Sequence, residues 1–123
     1  MSSQSLPILD HTVLERIIED TGREVLPLLF ESYRAESSDW MNTINQAIVD
    51  KDTEQLEFGV HSLASTSLSL GVLALGHTAR KMEHLCLAGK LHEAITHHQH
   101  LVGLLHSSHQ ALEQFSNELG SDT

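Results

Sequence analysis

The chain has 123 residues, enough for one domain with a core of its own and too few for two. Seventeen acidic residues against seven basic ones give a formal net charge of -10, which argues against nucleic acid and anionic membranes as partners. The single cysteine excludes an internal disulfide, no apolar run approaches the ~20 residues of a membrane-spanning helix, and no secretory leader opens the chain, so the expected location is the cytoplasm.

Residues 1–9 read as an N-terminal lead-in. Asp10 is placed to cap a short helix that turns Val13, Leu14, Ile17 and Ile18 inward, and Gly22 is placed to end it. A long helix is predicted over about 23–49. Its Pro27 is tolerated near the start, where backbone N–H groups lack helical partners anyway. Leu26, Phe30, Tyr33, Ser37, Trp40 or Met41, Ile44 and Ile48 make its apolar stripe. After the turn Asp50-Lys51-Asp52-Thr53, Asp52 and Gln55 resemble a capping box that opens a third long helix over 53–70.

Gly71 breaks the chain, and Leu75, Ala79, Met82 and Cys86 mark a fourth segment ending at Ala88-Gly89-Lys90. Cys86, between Leu85 and Leu87, reads as a packing residue. A last helix is predicted over about 91–118, with Leu91, Ile95, Val102, Leu105, Leu112 and Phe115 inward, followed by a polar, frayed tail over 119–123. No window alternates as a strand does. The expected fold is all-α: an antiparallel four-helix bundle over 10–118 with a short extra N-terminal helix.

Residues 61–71 carry the functional signal: His-Ser-Leu-Ala-Ser-Thr-Ser-Leu-Ser-Leu-Gly. Leu56, Val60, Leu63, Ser67 and Leu70 recur at steps of four and three and define the inward face. His61 then lies ~140° around the helix, pointing outward, at about 100° per residue. Glu57, Phe58, Ala64, Ser65 and Leu68 share its face. An outward imidazole among small side chains suits a nucleophile that another protein must reach.

The ordinary reading, a surface histidine, has weight because the chain holds ten of them. Phe58 and Leu68 also have an ordinary reading, burial against the short N-terminal helix. A histidine-rich metal-binding bundle is a further alternative, since His97 with His100 and His106 with His109 are i, i+3 pairs. A polar histidine-rich face is favoured over it, and no resident metal is expected. No Glu-x-x-His occurs, so a di-iron carboxylate bundle fails, and there is no Gly-x-Ser-x-Gly or phosphate-binding glycine loop of an enzyme.

The segment from Val60 to Gly71 resembles the core motif of the histidine-containing phosphotransfer (HPt) family, His-x-x-Lys-Gly with a glycine further on. Gly22-Arg23-Glu24, Phe30, Ala47-Ile48, and Lys81-Met82-Glu83-His84-Leu85 with Ala88-Gly89 extend the likeness over about 10–115. The resemblance implies that His61 accepts a phosphoryl group from the phospho-aspartate of one receiver domain, in a hybrid sensor kinase, and passes it to another, in a response regulator. Mg²⁺ would belong to the receiver. The chain would be a phosphocarrier, not an enzyme with turnover of its own, and is expected to act as a monomer with no cofactor.

Phe58, Ala64, Ser65 and Leu68 are the expected contacts for the partner. Two positions depart from the motif: Ala64 stands where the family usually has lysine, and Ser65 where it usually has glycine. Arg80 and Lys81 on the next helix are candidates to substitute for the missing charge, though spacing alone does not place them, while the hydroxyls of Ser62, Ser65 and Thr66 offer uncharged hydrogen bonds to a phosphoryl group. The departure at 64 leaves a second reading open: a degenerate HPt-like adaptor that binds partners without carrying phosphate.

Overall fold

The computed structural model describes residues 6–121; the start of the lead-in, residues 1–5, and residues 122–123 of the tail lie outside the described residues. Among the described residues the secondary structure is helical apart from one isolated bridge between Leu9 and Val72. The elements are α1 (His11–Thr21), a 3-10 turn (Arg23–Val25), α2 (Leu26–Asp50), α3 (Thr53–Ser69), α4 (Leu73–Leu87), α5 (Leu91–Ile95) and α6 (His98–Ser121). α3 packs on α2 and α4, and α6 packs on the same two helices, which closes a four-helix bundle.

Local chemistry sets the helix ends. The Asp10 side chain accepts from the Thr12 amide at 3.1 Å, and that of Asp52 from the Gln55 amide at 3.1 Å. Gly22 ends α1 as expected, but the chain enters α2 through the 3-10 turn, so the α-helix proper begins at Leu26 rather than near residue 23. The predicted last helix is two. Thr96 donates its hydroxyl to the Glu93 carbonyl at 2.6 Å, and the amides of Thr96 and His97 bond three residues back. These tight bonds end α5 and let α6 start afresh at His98. The break shifts the helical phase: Leu101 is fully buried, whereas Val102, expected inside, is 42% exposed. α6 continues through Ser121, past the expected boundary at residue 118.

The α3 stripe is wholly buried, from Leu56 through Val60, Leu63 and Ser67 to Leu70. Each of its fully buried leucines takes roughly 1.5–3 kcal/mol of apolar surface out of water, and that fixes the rotation of α3. Ser67 belongs to the stripe because its hydroxyl meets Tyr33 Oη at 2.6 Å inside the core. Burial is the main influence on that phenol and, against the Ser67 and Ser37 hydrogen bonds, pushes its pKa up to about 12. Cys86 is buried as expected, and desolvation pushes its thiol up as well.

The turn between α3 and α4 is held from the far end of the chain. The Asp10 amide donates to the Gly71 carbonyl at 2.7 Å, and the Leu73 and Ala74 amides donate to Ile8 and Pro7 at 2.9 and 3.2 Å. Gly71 has φ 79°, and a Cβ there would stand 3.0 Å from the Asp10 carbonyl oxygen, so both conformation and space call for glycine.

Candidate functional site

The burial of Leu56, Val60 and Leu63 turns His61 to the surface, where its side chain is 51% exposed. Across the α3–α4 seam, Glu83 rises beside it with only 9% of its side chain exposed. His61 Nδ1 and Glu83 Oε2 are 2.7 Å apart, and Arg80 Nη1 lies 2.7 Å from the other carboxylate oxygen. Arg80 Nη1 also stands 3.4 Å from His61 Nδ1, and its Nη2 stands 3.5 Å from Ser65 Oγ.

The protonation pattern follows from donor and acceptor chemistry. An ionised carboxylate only accepts, and a guanidinium only donates. Nδ1 cannot accept from Arg80 and donate to Glu83 at once, and the 2.7 Å contact decides the matter: Nδ1 donates to Glu83. In the neutral ring, Nε2 then carries the free lone pair. Burial is the largest single influence on Glu83 and opposes its ionisation, but hydrogen bonds and charge from Arg80 and His61 together outweigh it, and the carboxyl is held below the usual range.

Glu83 is the residue that reasoning from periodicity missed. It entered only as part of the family pattern, yet a signal was present: a carboxylate one step from the buried Ala79, Met82 and Cys86 stripe, three residues after an arginine. Glu57, half-buried one turn before His61, completes a group whose ligand-type atoms lie within 4.8 Å of one another. Among the described residues that is the one such group, and it includes none of the α6 histidines. His98 Nε2 bonds Asn45 Oδ1 at 2.7 Å and His109 Nε2 bonds Ser37 Oγ at 2.9 Å, so these two brace α6 against α2.

The expected partner-contact residues fare differently. Phe58 is 52% exposed and meets the Trp40 ring edge-on at 5.4 Å, so its packing partner is α2 rather than the short N-terminal helix. Ser65 is exposed beside Arg80. Leu68 is half-buried and seated over Gly76, where a Cβ would come within 2.5 Å of it.

Ala64 departs from expectation. It is completely buried, because its flank of α3 faces α4, and so it offers no surface to a partner. Ser62 and Thr66 are half-buried, and Lys81 is exposed; none of the contacts gathered at His61 involves them. Of the two candidate cations, the site brings in Arg80.

His61 thus stands on the surface of a helical bundle, half exposed and held at Nδ1 by Glu83. The Hpt domain profile matches residues 28–118, and the chain belongs to that family of phosphorelay proteins of two-component signalling. Its fold is that of the crystal structure of histidine-containing phosphotransfer protein B (HptB) from Pseudomonas aeruginosa PAO1, with a TM-score of 0.85 at 20% identity over 93% of this chain and 98% of that one. No curated protein matches the chain by sequence. Among the described residues no helix is long and apolar enough to cross a membrane.

Proposed function

We propose that His61 is the phosphoryl acceptor of a cytoplasmic phosphorelay intermediate, loaded by the phospho-aspartate of one receiver domain and discharged to the aspartate of another. The observation that carries this reading is the His61 Nδ1–Glu83 hydrogen bond, which leaves Nε2 as the nucleophile on an exposed ring. In the transfer, the Nε2 lone pair forms the N–P bond while the P–O bond to the partner's aspartate breaks and its electrons return to that carboxylate. The ring becomes cationic with its proton on Nδ1, and Glu83 stabilises it through the existing contact. Discharge runs the same steps backwards. The chain positions and stabilises, and Mg²⁺ belongs to the receiver.

Phe58, Ser65 and Leu68 are the residues we assign to the docking face around the ring; Ala64 is not among them. The test is incubation with a phosphorylated receiver domain followed by intact-mass measurement of an acid-labile phosphoryl addition. Wild type should be labelled and His61→Gln should not, while His98→Gln and His106→Gln should label as wild type does. Unlabelled wild-type protein would favour the adaptor reading, and labelled His61→Gln would show that another histidine is the acceptor.

A further inference from the structure

Arg80 of α4 reaches α3 on both sides of Ala64 in the chain. His61 and Ser65 flank Ala64 along α3, three residues before it and one after. The Arg80 guanidinium reaches both, at 3.4 Å from His61 Nδ1 and 3.5 Å from Ser65 Oγ. Ala64 itself is completely buried. The guanidinium therefore lies along the His61–Ser65 ridge of α3, within reach of the ring. Arg80 thus supplies a positive charge beside His61, in a chain whose position 64, where the resemblance would place a lysine, is alanine.

We infer that Arg80 is the phosphoryl-binding cation of this protein, delivered from α4 in place of a lysine on α3. This rests on His61 being the acceptor. In the unphosphorylated state Arg80 is held ready: Nη1 donates to Glu83 at 2.7 Å, and Nη2 points to the Ser65 hydroxyl. Its side chain is 32% exposed and its recorded contact is with Nδ1, so binding oxygens on Nε2 requires the guanidinium to turn outward from this position. Arginine has five donors, so it can keep its bond to Glu83 while giving others to a phosphoryl group, which a lysine's compact ammonium does less readily. Glu83 ties nucleophile and cation together, since each of its oxygens holds one of them.

The test reads the charge beside the phosphoryl group directly. Full-length protein is phosphorylated with phosphoramidate, and the ³¹P resonance of phospho-His61 is assigned by its loss in His61→Gln. That resonance is then followed against pH. A neighbouring cation favours the dianionic phosphoryl group, so Arg80→Met should raise its second ionisation by about half a unit to one unit, and Arg80→Lys should restore most of the difference. Ala64→Lys in the Arg80→Met background should also restore it, because the charge then comes from α3. Circular dichroism of each variant identifies any that does not fold, and Arg80→Gln replaces Arg80→Met in that event.

An unchanged ionisation in folded Arg80→Met or Arg80→Gln would overturn the inference and leave the acceptor assignment standing. Absence of a phospho-His61 resonance in wild type would instead overturn the acceptor assignment itself.

Discussion

Two seams of this bundle each hold a histidine hydrogen-bonded to the neighbouring helix, and they put it to opposite uses. On the α3–α4 seam, His61 is half exposed and meets an ionised carboxylate that is itself held by an arginine. On the α2–α6 seam, His109 is half-buried, meets the Ser37 hydroxyl, and stands edge-on to Tyr33 at 6.1 Å. Ser37 gives its own proton to the Tyr33 carbonyl at 2.6 Å, so His109 is the donor in that pair. One imidazole is half exposed, with Nδ1 on a carboxylate and an arginine beside it, while a second carboxylate, Glu57, lies in the same group. The other is a strut between helices. Partner and exposure, not the imidazole itself, set the two histidines apart.

The widest expected gap between the seams is steric. Ser65→Trp, on the open face beside His61, should slow transfer from a phosphorylated receiver by about a hundredfold or more, because a small misplacement of reacting groups costs that much. Ser65→Ala should leave transfer nearly intact. Rapid transfer by Ser65→Trp would show that the receiver approaches from elsewhere.

A smaller effect separates the two kinds of partner. Glu83→Ala should slow phosphorylation of His61 by about ten- to a hundredfold, by analogy with the loss when the carboxylate orienting a metal-bound imidazole is removed. Glu83→Gln, whose amide oxygen still accepts from Nδ1, should lose much less. Equal rates for Glu83→Ala and wild type would mean that His61 needs no orientation. Stopped mixing with a labelled receiver, sampled by gel at short times, measures both variants.

The smallest effect is a pH dependence of stability on the other seam. Burial is the leading cause that holds His98 and His109 below the ordinary imidazole range, with Arg34 and His106 adding to it at His109. A base whose folded pKa is depressed binds its proton more readily unfolded. Its contribution is therefore fully present above the unfolded value of about 6.5 and is lost as pH falls through the folded value. The thermal midpoint should drop between pH 7.5 and 5.5, and His98→Gln combined with His109→Gln should flatten that drop. An equal drop in the double variant would place the pH sensitivity elsewhere, with Glu83 the next group to test at lower pH, since its carboxyl is depressed too.

The sequence carried the rotation of α3, and with it the outward histidine, because five inward residues at helical spacing leave little freedom of phase. It also carried the capped ends at Asp10 and Asp52, where side-chain chemistry is local. What it could not carry was set by contacts between distant segments or by one competing hydrogen bond. Around Thr96 and His97 the backbone bonds three residues back, with the Thr96 hydroxyl joining at Glu93, and this interrupts a helix that apolar periodicity runs straight through; Val102 is exposed beyond it. Ala64 had the right spacing to share the face of His61, but the closeness of α4 buried it. Glu83 and Arg80 lie on another helix, so their meeting with His61 depends on the register of α3 against α4, which one-dimensional spacing does not contain. The lead-in looked unremarkable because its bonds go to residues 71–74, at the far side of the bundle's first half.

The edge-on contact between Trp40 and Phe58 has a practical use. The chain has one tryptophan, and it touches the exposed aromatic next to His61, so its fluorescence comes from a single place on the molecule. A partner that covers Phe58 is expected to change the polarity around that indole, a response that needs no label or substitution. The protein thus carries its own optical gauge of occupancy at this face, one that reads association separately from transfer of the phosphoryl group.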